Sequence, residues 1–223
     1  MFRLFNQKDL MGVGMTILSR RVFLPHAGKR DIVIDRLKTV AGAINRAGGE
    51  PLLMNISYGH MAGQLALFGL YSDFVSATSA TMKMASDAEL QKVNKLRESD
   101  PAADYVAGPD VLRVVFGEAR PQSTMMVRTY QVDRNNLTEA VGILHKVDAL
   151  MQKSDEPGNV TGIVPMISDN MDRLNVIYGF DNMEHMGRAV QNIGLSTEFQ
   201  ELVNEANKTG KLVSVRVQQK IEL

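Results

Sequence analysis

Apolar residues follow two periods along this chain. Where they fall at consecutive or alternate positions the segment reads as a strand, and where they recur every three or four positions it reads as a helix. The first half gives a strand near 13–23, a helix near 28–47 closed by Gly48-Gly49, and strands near 51–57 and 64–71. Helical segments near 73–84 and 87–98 follow, then a strand near 111–118. The second half gives strands near 123–132, 160–167, 173–180 and 211–221 with helices near 134–153 and 182–207. The first of these helices stops before Ser154-Asp155-Glu156-Pro157-Gly158, a composition that breaks helices. The order β-α-β-β-α-β is thus written twice.

Sliding the chain along itself by 110 residues supports a duplication. Val22 then falls on Val132, Gly69 on Gly179, Ser86 on Ser196, and Val93-Asn94 on Val203-Asn204. The helical stripe Ile34, Leu37, Val40 and Ala41 falls on Leu144, Val147, Leu150 and Met151. The expected units are 1–118, a first ferredoxin-like repeat with an N-terminal extension, and 122–223, a second repeat. Ser99 to Pro109 reads as a loop insertion in the first unit, and Ala119-Arg120-Pro121 is a linker too short for independent tumbling.

The third strand of the first half, Leu65 to Leu70, and the run Ile163, Val164, Met166 and Ile167 in the second are apolar on both faces. That is the pattern of a strand covered twice. In one β-α-β-β-α-β unit the helices cover a single sheet face, so the sheet of the other unit is the natural cover for the second. In element order and duplication, over roughly residues 11–223, the chain resembles the dimeric α+β barrel superfamily. The fold class this implies is α+β, with two ferredoxin-like repeats packed through their antiparallel sheets into an α+β barrel. The superfamily includes small monooxygenases of antibiotic biosynthesis, polyketide cyclases, haem-degrading and chlorite-dismutase-like proteins, and stress-responsive modules, so fold leaves function open.

Composition removes several classes. Lysine plus arginine and aspartate plus glutamate number 25 each, leaving no net field toward nucleic acid or anionic lipid. Paired RNA-recognition motifs share the element order, but the third strands lack their basic residue and stacking aromatics. There is no cysteine, hence no disulfide or thiolate chemistry. Early charges and the lack of an 18-residue apolar run argue against a secretory leader or a membrane span and for a cytoplasmic protein. Gly12-Val13-Gly14 is a lone glycine fragment, no Walker loop or Gly-x-Ser-x-Gly elbow occurs, and the four histidines lack zinc-ligand spacing, so no metal is expected. Most of the 14 methionines read as core filling.

The remaining chemistry lies in polar side chains on strands that ought to be buried. At the 110-residue shift Leu18 becomes Arg128, Phe68 becomes Tyr178 and Leu65 becomes Asn175, which makes the second copy the wetter one. Arg128 and Tyr178, with Tyr130 on the strand face of Arg128, can bind an anionic or phenolic ligand. His185, in the first turns of the last helix, is a candidate base or haem ligand, and Tyr58 and His60 lie at one sheet end between the second and third strands. His145 and Asp148 read as a solvated helix edge. Arg20 and Arg21, being consecutive, point to opposite strand faces and are not read as a basic site.

Two readings stay open. One is a cofactor-independent, monooxygenase- or cyclase-like pocket for a small aromatic or polyketide-like molecule, with haem held by His185 or His60 as a lesser branch. The other is a non-catalytic structural or stress-related module with a filled pocket. Fusion supplies the partner within the chain, so either a monomeric pseudo-dimer or a homodimer is compatible with the sequence.

Overall fold

The computed structural model describes residues 16–223, so the start of the first expected strand and Gly12-Val13-Gly14 lie outside the described residues. The strands are β1 (Ile17–Pro25), β2 (Glu50–Gly59), β3 (Leu65–Tyr71), β4 (Ala103–Phe116), β5 (Thr124–Val132), β6 (Asn159–Ile167), β7 (Arg173–Phe180) and β8 (Gly210–Ile221). The helices are α1 (Arg30–Arg46), α2 (Phe74–Ala85), α3 (Ala88–Ser99), α4 (Leu137–Gln152), α5 (Met183–Ala189) and α6 (Thr197–Thr209). Within each half the strand order places β1 between β3 and β4, and β5 between β7 and β8. The pairs β2–β8 and β4–β6 join the halves and close an eight-stranded antiparallel barrel, which leaves no free edge.

Closure explains why the strands are apolar on both faces. One face of each sheet packs on its own helices: Leu53, Leu65 and Leu67 against Leu37, Ala41 and Ile44 of α1, and Leu174, Val176 and Tyr178 against Leu144, Val147 and Met151 of α4. The other face fills the barrel with Leu18, Met54, Phe68, Leu112, Met125 and Ile163. All seven residues of β3 are buried.

Two expectations about elements change. The segment 103–109, expected as a loop, belongs to β4 and pairs with β1 from Pro25↔Ala103 to Val22↔Ala107. Gly108 and Pro109 mark a register shift in that ladder, since a bulge tolerates the residues that break a regular strand. Gly108 has φ +96°, and a Cβ there would sit 2.2 Å from the Arg20 carbonyl oxygen. The single helix expected over 182–207 is instead α5, a π-helical turn over Val190–Gly194, and α6. Ser196 opens α6 as its N-cap, its Oγ accepting from the Phe199 N–H.

Ladder registers also correct the 110-residue superposition. Asp73 and Asn182 cap α2 and α5 in the same way, each accepting from the N–H three residues on, which equates Tyr71 with Phe180. Their partners are Ile17 and Thr124, so Leu18 corresponds to Met125 and Arg21 to Arg128. Counting back from the caps, Ala66 corresponds to Asn175 and Gly69 to Tyr178. The correct offset on β1 is 107. A three-residue error turns a helix by only about 60° from its true face but reverses every strand side chain, because the strand period is two.

Candidate functional site

Along β5 the residues Met126, Arg128, Tyr130 and Val132 face the helices, and across the ladder Met126 meets Tyr178 while Tyr130 meets Leu174. Arg128, Tyr130 and Tyr178 therefore share one layer. The Arg128 guanidinium lies 5.3 Å from the centroid of Phe199 on α6, and Phe199 meets Tyr178 edge to face at 6.3 Å. The Arg128 Nε is buried and has no hydrogen-bond partner among the described residues. Burial, then the neighbouring Tyr130, push the Tyr178 phenol well above its ordinary pKa, with Arg128 opposing them, so Tyr178 stays a neutral donor.

Arg128 and Tyr178 line a cavity of about 160 Å³ whose other walls include Phe180, Ile193 and Phe199. This is the volume range in which an apolar cavity admits one aromatic ring, ~150 Å³. Its roof is the π-helical turn, where the Leu195 N–H reaches back to the Val190 carbonyl at 3.1 Å. Such turns widen a helix locally and recur at ligand sites. Tyr130 and Tyr178 also border a void of only about 30 Å³ beneath α4 and α6, so that side of the layer is packed nearly solid.

Asn175 lies on the opposite face of β7, inside the barrel. Its Oδ1 accepts from the Thr129 hydroxyl at 2.8 Å, and Thr129 in turn accepts weakly from Arg216 Nη1 at 3.4 Å. These three side chains line an interior cavity of about 270 Å³ together with Arg20 and His60. Asp110 holds Arg20 there, its Oδ2 accepting from Nε at 2.9 Å and from Nη2 at 2.6 Å. Sequence reasoning missed Arg216, Thr129 and Asp110. The stretch Ser214-Val215-Arg216-Val217-Gln218 alternates like a strand with one wet face, and only closure puts its polar side inside.

His185 and Tyr58 are not brought to either cavity. The His185 ring packs against Phe180 at 5.4 Å, with Nδ1 accepting from the Asp181 N–H and Nε2 3.7 Å from Glu156 Oε2. It ties α5 to the loop before β6. Tyr58 falls within β2 and not in a connecting loop; it follows a register shift and is 61% exposed. His145 is exposed on α4, as a solvated helix edge requires, and meets the Phe116 ring edge to face at 4.7 Å. A larger cavity, about 500 Å³, lies in the first half between α1 and α3, where Arg97 sits 5.9 Å from the rings of both Phe23 and Tyr105.

Nε2 of His185 lies 3.7 Å from a Glu156 carboxylate oxygen, and His60 lines the 270 Å³ cavity. Among the described residues no group of His, Cys, Asp and Glu suits a metal ion, and no helix is long and apolar enough to cross a membrane.

Comparison with solved structures rests on this geometry. A candidate monooxygenase from Lactobacillus acidophilus superimposes with a TM-score of 0.60 at 13% identity, over 92% of this chain and 94% of its own. The fold is that of the dimeric α+β barrels. An anthrone oxidase-like protein matches at 0.59 with 10% identity, over 93% of this chain and 91% of its own. A major regulator of staphylococcal pathogenesis matches at 0.54 with 10% identity, over 92% of this chain and 99% of its own. At such identities the likeness extends to the fold alone, and the range of names shows how many roles this barrel carries. No protein-family model and no curated protein matches the sequence.

Proposed function

We propose that the second half of this α+β barrel binds a small aromatic or polyketide-like anion between sheet and helices and transforms it without a cofactor, as a monooxygenase or cyclase would. The observation that carries this reading is the buried, unpartnered Nε of Arg128 on a ring-sized apolar cavity. A buried guanidinium donor left without a partner is costly. A phenolate or carboxylate supplies its partner by a charge-assisted hydrogen bond. Arg128 then holds the charge of a deprotonated substrate, the species from which oxygenation and cyclisation both start. Tyr178 supplies a neutral hydroxyl beside it. Because the barrel closes within one chain, a monomer suffices.

The nearly solid packing under α4 and α6 favours a second reading, a non-catalytic module. Calorimetric titration of the full chain with phenols, salicylate and larger hydroxylated aromatics separates the two. Saturable binding that weakens at least tenfold in Arg128→Met supports the pocket. No binding, or binding indifferent to Arg128, leaves the module.

A further inference from the structure

The cavity inside the barrel stands apart from the pocket under the π-helical turn, and its charges do not balance. Three arginines line it. Arg20 is neutralised by Asp110, and Arg173 pairs with Asp172 at 2.5 Å. Among the described residues Arg216 has no carboxylate partner; the Thr129 hydroxyl at 3.4 Å is a poor substitute for one. Burial, followed by the charge of Arg20, brings its pKa down to about 10, which leaves it cationic at neutral pH. An unpaired charge that is only 8% exposed is expensive unless something answers it.

The two halves of the barrel show what is missing. Arg20 faces Asp110 across the β1–β4 ladder, and the corresponding pair across β5–β8 is Val127 and Arg216. The second half thus carries an arginine where the first has its acid and a valine where the first has its base. Among the described residues no internal counter-ion is left for Arg216. Thr129 gives its proton to Asn175 Oδ1, so the Asn175 amide N–H groups remain as further donors on the cavity wall. Leu112 and Ala107 of β4, with Met61 just after β2, belong to the barrel's hydrophobic filling and give the same cavity an apolar stretch. Met61 adopts φ 67°, and among the described residues it is the one non-glycine residue with positive φ, a conformation usually retained only where the surroundings impose it.

We infer that the barrel interior is a second binding site, in which the Arg216 guanidinium receives the carboxylate of a small organic acid whose apolar body rests on Leu112 and Met61. The planar guanidinium fork matches two carboxylate oxygens, and the apolar wall selects an organic acid over chloride or phosphate. One unpaired cation calls for a monoanion. The inference is independent of Arg128 and of the ligand proposed above.

Thermal-shift and calorimetric titrations of the full chain at constant ionic strength, with acetate, pyruvate and benzoate against chloride and inorganic phosphate, test it. An organic acid should bind saturably and at least tenfold more tightly than either inorganic anion. Arg216→Met should abolish this binding and raise the ligand-free melting temperature, since a buried unpaired charge has gone. Val127→Asp, which gives Arg216 the internal carboxylate that Arg20 already has, should suppress binding with Arg216 still in place. Arg128→Met should leave it intact. Absence of binding, equal affinity for phosphate or chloride, survival of binding in Arg216→Met, or its loss in Arg128→Met would each overturn the assignment.

Discussion

Replacing Asp110 by asparagine keeps the shape of the side chain and removes one charge from the barrel. Asp110 is 5% exposed and takes two hydrogen bonds from Arg20, at 2.9 and 2.6 Å. Without it Arg20 becomes a second unpaired cation beside Arg216, in a wall that already opposes one. Breaking a buried pair from one side costs about 3–5 kcal/mol, and because the Arg20 side chain keeps 20% of its exposure the lower end applies, about 3 kcal/mol. In a chain of this size that is a drop in Tm of roughly 6–12 °C. Urea unfolding at neutral pH, followed by circular dichroism, measures it as a fall in midpoint at unchanged slope. The double variant Asp110→Asn, Arg20→Met should recover most of the loss, because no stranded charge remains at that position. A loss under about 1 kcal/mol in Asp110→Asn would refute the reasoning, since it would mean that water already screens the barrel mouth. The same result would weaken the case for a ligand on Arg216.

Other consequences are open to measurement. Gly108→Ala should destabilise the chain by about 1–3 kcal/mol in thermal melts, because φ is +96° and the added carbon meets the Arg20 carbonyl; a neutral result would contradict the bulge geometry. Tyr178, with its raised pKa, should remain unionised at pH 10, so ultraviolet titrations of the chain and of Tyr178→Phe should coincide there. Hydrogen bonds from the backbone N–H groups of Ser76 and Leu90 lower the pKa values of Asp73 and Asp87 below those of free aspartates. Their stabilising contribution is therefore complete above the ordinary aspartate pKa and lost as pH falls through the depressed folded-state values. Asp73→Asn, which preserves an N-cap without the charge, should flatten that acid loss, and an unchanged pH profile would count against the capping role. Phe199→Ala should cost about 3–5 kcal/mol and enlarge the Arg128 pocket, shifting its preference toward bulkier aromatics in the calorimetric assay.

How far the sequence reached depended on which period a segment obeys. Helix faces such as that of Leu37 and Ile44, turns, and strands buried on both sides are local consequences of spacing, and they sufficed for the order of elements and the idea of a barrel. Arg128 and Tyr130 could be grouped because residues two apart on one strand share a face, whatever the strand pairs with, whereas the place of Tyr178 in their layer depends on the β5–β7 register. Which position in one half answers which in the other was not legible, since a three-residue offset is nearly invisible on a helix and inverts a strand. Gly108-Pro109 read as a loop because a bulge and a turn use the same residues. Arg216 lay unremarked in the strand expected near 211–221, and Asp110 between the expected loop and the strand near 111–118. Only closure of β2 on β8 and β4 on β6, a set of contacts between residues far apart in the chain, turned that polar face inward and left Arg216 without a carboxylate among the described residues.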